Sequence, residues 1–145
     1  MSQETFHSSI SLSQLLAESG VRPGSNIRVT GPGSLSALLW LCRRGYQKVG
    51  CLQAGRRAPA DDAEAVLVAH TATSGWLADL LERGPHVREG GVMIVQTAHA
   101  PAANDGVVEA VFRAHGFNVV QRLCGVHRNV LVARRAPAAD LREAA

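Results

Sequence analysis

Aromatic side chains are scarce in this chain: Tyr, Trp and Phe together make up 4% of its 145 residues. A core built from it must therefore be aliphatic, assembled from Leu, Val, Ile and Ala. Long apolar runs are also missing. Stretches such as 38–42 and 92–95 are short against the roughly 20 residues that a membrane-spanning helix needs. Residues 1–11 are polar and include Glu4, unlike a signal peptide, so the expected compartment is the cytoplasm. Cysteine is limited to Cys42, Cys51 and Cys124, with no Cys-x-x-Cys pair. Widely spaced thiols in odd number point to reduced cysteines, each expected as a small buried hydrophobe. The formal net charge of +3 comes almost wholly from arginine, in pairs such as Arg43-Arg44, Arg56-Arg57 and Arg134-Arg135. No basic stripe is interleaved with aromatics, so no nucleic-acid partner is indicated. Gly-x-Ser-x-Gly, His-Glu-x-x-His and Walker-type loops are absent as well, which leaves hydrolase, zincin and P-loop readings without support.

What remains is the balance of a soluble globular chain, 46% hydrophobic and 19% charged. Its length has room for one domain over 1–145, with 1–10 and 136–145 expected as loose ends. Residues 11–19 read as a helix with Leu12, Leu15 and Leu16 on one face, stopped by Gly20. A short strand, 27–30, follows and ends in Gly31-Pro32-Gly33. Residues 34–44 form a strong helical pattern, with Leu35, Leu38, Leu39 and Cys42 at i, i+3, i+4 and i+7. That spacing predicts these four as the inward face. A second strand, 48–53, leads into the polar loop 54–62, and then comes the apolar strand Ala-Val-Leu-Val-Ala at 65–69. An unbroken apolar strand is expected where a parallel sheet is covered on both faces. A helix at 76–83, a strand at 92–96, a helix at 106–115 and strands at 118–123 and 129–133 complete the pattern. Strands alternating with helices predict a parallel sheet with right-handed crossovers. The last two strands are too close for a crossover and must pair antiparallel.

Three segments carry a family resemblance. LLAESGVRPGSNIRVTGPGSLSALLWLCRRG is similar to the opening of class I S-adenosylmethionine-dependent methyltransferases, a helix and Arg-Pro-Gly turn before the first strand and its glycine loop. HVREGGVMIVQT resembles the Gly-Gly turn into that family's fifth strand, and GFNVVQRLCGVHRNVLVARR its closing antiparallel pair. The match runs from about Leu12 to Arg135. It implies an α/β, three-layer, Rossmann-like doubly wound sheet of about six strands, mostly parallel, with a closing antiparallel strand. It also implies S-adenosylmethionine as cofactor, with Gly31, Gly33 and Ser34 at its methionine end, Gln53 at the ribose and His70 near the transferred methyl. Physically, glycines after a first strand allow close backbone approach, and the next helix offers free N–H groups.

The pattern departs from the family at four places. Val29 stands where an acidic residue precedes the first glycine, and Leu35 where a third glycine is usual. The second strand runs Cys51-Leu52-Gln53, without the acidic residue that binds the ribose hydroxyls. The connection 54–62 replaces a helix and a strand that normally wall the adenine.

A separate constellation is histidine at strand ends. His70 and His99 follow the third and fourth strands, at the edge where open α/β sheets bind ligands, and are candidate acid/base or substrate contacts. As metal ligands they lack a third partner fixed by spacing, and Asp79 or Asp105 would have to be recruited. His7, His86, His115 and His127 read as surface residues. Trp76 suits helix packing or the flank of a pocket. The sequence thus supports a methyltransferase-like protein that binds S-adenosylmethionine. Its rivals are a non-catalytic scaffold or dimerising module on the same fold and, more distantly, a small nicotinamide-dependent enzyme. A homodimer is expected, because the shortened connection leaves the second strand as a sheet edge.

Overall fold

The computed structural model describes residues 12–52, 63–98, 102–124 and 128–137. In chain order these form α1 (Leu12–Glu18), β1 (Asn26–Thr30), α2 (Ser34–Arg43), β2 (Lys48–Cys51) and β3 (Ala63–Thr71). Then come α3 (Ser74–Glu82), β4 (Val87–Ala98), α4 (Ala102–Ala114), β5 (Phe117–Cys124) and β6 (Arg128–Arg135). The six strands make one sheet in the order β2-β1-β3-β4-β6-β5. The first four are parallel, while β6 lies antiparallel between β4 and β5. This is the expected Rossmann-like plan, including the final strand beside Val92–Gln96.

The sheet separates two aliphatic cores. On one face Val66, Val68, Met93, Val95, Leu131 and Ala133 pack against Leu77, Leu80 and Leu81 of α3 and Val108 and Phe112 of α4. On the other, Ile27, Val29, Ala65, Leu67, Ile94 and Val132 meet Leu15 and Leu16 of α1 and Leu41 of α2. Strand β3 is buried along most of its length, as an interior parallel strand must be. Strand β5, at the sheet edge, alternates instead between buried or half-buried and exposed positions.

Helix ends follow from local chemistry. At the end of α2, Tyr46 N–H donates to Leu41 O and Gly45 N–H to Cys42 O, both at 3.1 Å. Gly45 takes φ +92°, the left-handed turn this closing motif requires. At the start of α3 the Thr73 side chain accepts from Trp76 N–H at 3.1 Å, supplying the N-cap. The paired arginines of β6 are used internally. Arg134 donates to Gly90 O at 2.6 Å and Ser19 O at 3.2 Å, and Arg135 to Val87 O at 2.6 Å.

Three expectations require correction. The inward face of α2 carries buried Leu41 with partly buried Ala37, Leu38 and Trp40, while Leu35 is 67% and Leu39 47% exposed. The helix is apolar on most of its circumference, so periodicity alone does not select a face; packing on β1 and β2 does. All three cysteines are exposed rather than buried. Cys51 and Cys124 are the last residues of the two edge strands, and Cys42 shares the outer stripe of α2. His86 is buried, not superficial: its Nε2–H donates to Leu80 O at 2.7 Å, and its φ is +65°. That backbone is uncommon outside glycine and is held here by the buried hydrogen bond.

Candidate functional site

The direction of winding reverses between β1 and β3: the chain goes from β1 to the outer strand β2, then returns past β1 to β3. The crevice at the carboxyl ends of two such strands is where open α/β sheets bind ligands. Here it is built by the loop after β1 and the end of β3.

The loop turns at Gly31, whose φ of +101° is costly for any residue with a Cβ. Ser34 N–H and the Ser34 hydroxyl both donate to Gly31 O, at 3.1 and 2.6 Å. Ala37 N–H donates to Gly33 O at 3.1 Å, and α2 begins. The Ser34 hydroxyl proton is therefore spent inside the loop. Crowding from β3 adds to the need for glycine, through backbone at Gly33 and through a movable side chain at Gly31. A Cβ on Gly31 would run into His70 Nδ1 and stand 3.0 Å from His70 Cε1; one on Gly33 would run into the Ala69 carbonyl oxygen. The structure thus brings Gly31, Gly33, Ser34 and His70 together.

His70 is half-buried, and its Nδ1 is enclosed without a hydrogen-bond partner. On its other side the ring meets Trp76 edge-on, with centroids 4.4 Å apart and planes at 84°. Trp76 is fixed by the Thr73 cap one helical turn earlier. Gly31, His70 and Trp76 form a continuous row across the crevice.

Further along the same edge, Ala72 N–H donates to Gln96 O at 2.7 Å, extending the β3–β4 ladder. Thr97 and Asn129 occupy paired ladder positions and are 0% and 4% exposed. The sequence reading did not single them out, although polar residues adjoining apolar strands were a usable signal. Val29, in the position of the missing acid, is fully buried in the core. Leu35 points to solvent rather than crowding the loop. Gln53 and His99 lie outside the described residues. Among the described residues no three His, Cys, Asp or Glu side chains are grouped to hold a metal. The loop therefore offers backbone groups and one imidazole ring, without a carboxylate on β1.

The order of strands, the reversed β6 and the glycine loop define the fold of the class I S-adenosylmethionine-dependent methyltransferases, here in shortened form. Among solved structures, a Streptococcus pneumoniae protein, Sp1610, assigned as a tRNA (m1A22) methyltransferase, is 18% identical with a TM-score of 0.59. The alignment covers 92% of this chain and 75% of that one. A Pyrococcus furiosus methyltransferase is 12% identical, with TM-score 0.59 and coverage of 86% and 82%. Magnesium protoporphyrin IX methyltransferase from Synechocystis, solved with bound S-adenosylhomocysteine, is 12% identical, with TM-score 0.55 and coverage of 92% and 83%. No family model matches the sequence, and no curated protein matches it.

Proposed function

We propose that this chain binds S-adenosylmethionine, or its demethylated product S-adenosylhomocysteine, in the crevice between β1 and β3. The observation that carries this reading is the left-handed glycine turn at the switch point of a methyltransferase-type sheet. Sp1610 has been solved with S-adenosyl-L-methionine, which supports the choice of ligand. The fit is partial. Gly31 and Gly33 can admit the amino-acid end by close backbone approach, while Ser34, whose N–H and hydroxyl both donate to Gly31 O, would have to release one of those bonds to reach it. The unpaired Nδ1 of His70 lies against the same loop. When bound, the cofactor would supply an electrophilic methyl group. His70 borders the loop on the side where that methyl would lie, and His99 and Gln53 belong to the same proposal.

Binding should be weak. The second strand runs Cys51-Leu52-Gln53 without the carboxylate that would bind the ribose hydroxyls, and the connection that would wall the adenine is short. Loss of a charge-assisted hydrogen bond costs about 1.5–3 kcal/mol, roughly tenfold to a hundredfold in affinity. Isothermal titration with S-adenosylmethionine, S-adenosylhomocysteine and NAD tests the reading. We expect dissociation constants above the micromolar range for the first two and no binding of NAD. Absence of any binding to the first two, by wild type and by a variant lacking the His70 ring alike, would overturn it.

A second reading has its own support: a non-catalytic module on the same fold. The packing of Gly31 and Gly33 on β3 explains both glycines without a ligand. On either reading the protein is proposed to work as a homodimer through β2, and its free cysteines suit the reducing cytoplasm.

A further inference from the structure

The row Gly31–His70–Trp76 has a consequence for the ligand site itself, and it rests on the cofactor-binding reading above. The imidazole sits between the glycine loop and Trp76, at the carboxyl ends of β1 and β3. A ligand that approached the face of the loop toward which a Gly31 side chain would project would need that same space. The ring is there at a cost, because Nδ1 is withdrawn from water and bonded to nothing. A side chain that gains only packing while leaving a polar atom unpaired holds its seat weakly. Turned out toward solvent, it would regain a hydrogen bond to water and uncover the Gly31 face of the loop. We infer that His70 is an autoinhibitory side chain: packed between Gly31 and Trp76 it closes the crevice, and the ligand binds only to the form in which it has swung away.

The chemistry gives this a definite sign. If the closed form dominates, measured affinity is reduced by the fraction of molecules that are open. Removing the ring removes that reduction, whereas removing a true ligand contact would weaken binding. The test is titration of S-adenosylhomocysteine into wild type, His70→Ala and His70→Phe. Each is repeated in a Trp40→Phe background, in which fluorescence reports Trp76. We expect His70→Ala to bind roughly tenfold tighter than wild type, for a ring that is closed about nine-tenths of the time. His70→Phe, which keeps a ring in the seat and has no unpaired nitrogen, should bind more weakly than wild type and melt at a higher temperature. Ligand should shift Trp76 emission in wild type, as the imidazole leaves its edge, and shift it less in His70→Ala. Wild-type binding with His70→Ala equal or weaker would overturn the closure while leaving the cofactor reading in place. No binding by any of the three proteins would overturn both.

Discussion

The carbonyl oxygen of Ala69 occupies the space into which a side chain on Gly33 would project. Both partners are backbone: Ala69 follows directly on the β1–β3 ladder, which ends at Thr30 and Val68, and Gly33 O accepts from Ala37 N–H at the start of α2. Neither can yield cheaply. Gly33→Ala should therefore destabilise the fold by about 1–3 kcal/mol, the range for overpacking at a rigid site. Urea denaturation reads this directly. An unchanged midpoint would mean that the loop and β3 are further apart than described. Loss of ligand binding in Gly33→Val must accordingly be judged only after its folding has been measured.

Gly75 is the opposite case. It lies in the first turn of α3, without positive φ, and a Cβ there would meet nothing within 4 Å. Gly75→Ala should stabilise by about 0.5–1 kcal/mol, because the unfolded chain loses freedom and the helix gains a better former. A higher melting temperature is the expected outcome, and a lower one would show that this turn is not helical in solution.

The contrast between these two glycines marks what was legible in the sequence. The element order, the parallel sheet and the reversed last strand follow from strand–helix alternation and the short gap before residue 129. So does the placing of His70 and Gly31 at one edge, since a strand end and a following loop fall there by topology. The collision partners of each glycine depend on how far β3 runs. It extends to Thr71, two residues past its apolar core, and so carries Ala69 and His70 over the loop. Strand β4 likewise begins at Val87, before the Gly90-Gly91 pair that reads as a turn. Its early residues are tied to β6 by Arg134 and Arg135, contacts far apart in sequence. Helix α2 shows the remaining limit: an apolar pattern on several sides leaves the buried face to tertiary packing.

Glu109 gives a pH dependence. It receives hydrogen bonds from Arg122 on β5 and Arg113 on its own helix. The Arg122 hydrogen bond, helped by the charge of both arginines and opposed by burial, holds its carboxyl below the usual carboxylate value. A lowered native value stabilises the fold above the unfolded carboxylate range, near pH ~4.3, and this is lost as pH falls through the native value. Glu109→Gln should thus melt slightly below wild type at pH 7, by a margin typical of surface ion pairs, about 0.2–1 kcal/mol. The two melting curves should converge as the pH is lowered through that range. A gap that persists or widens in acid would assign the effect to packing rather than charge.

The final prediction concerns self-association. Among the described residues β2 pairs with β1 on one side and has no strand on the other. Such an edge presents unpaired N–H and C=O groups, and its Lys-Val-Gly-Cys sequence has one charge and no proline to discourage pairing. The adjoining helix α2 exposes Leu35, Leu39 and Cys42, which fall at i, i+4 and i+7 and form one outer stripe. Leu52, by contrast, packs against the core cluster beneath α3, so it is not part of this surface. A twofold axis beside β2 would pair the two edges antiparallel and bring the two leucine stripes together, each covering the other. The mean mass from light scattering should rise from monomer to dimer across a concentration series. Leu39→Lys, which places a charge in the stripe without touching either core, should shift that transition to higher concentration by at least about tenfold, the effect of roughly 1.4 kcal/mol. A protein that stays monomeric at high micromolar concentration, with Leu39→Lys indistinguishable from wild type, would leave β2 as an ordinary exposed edge.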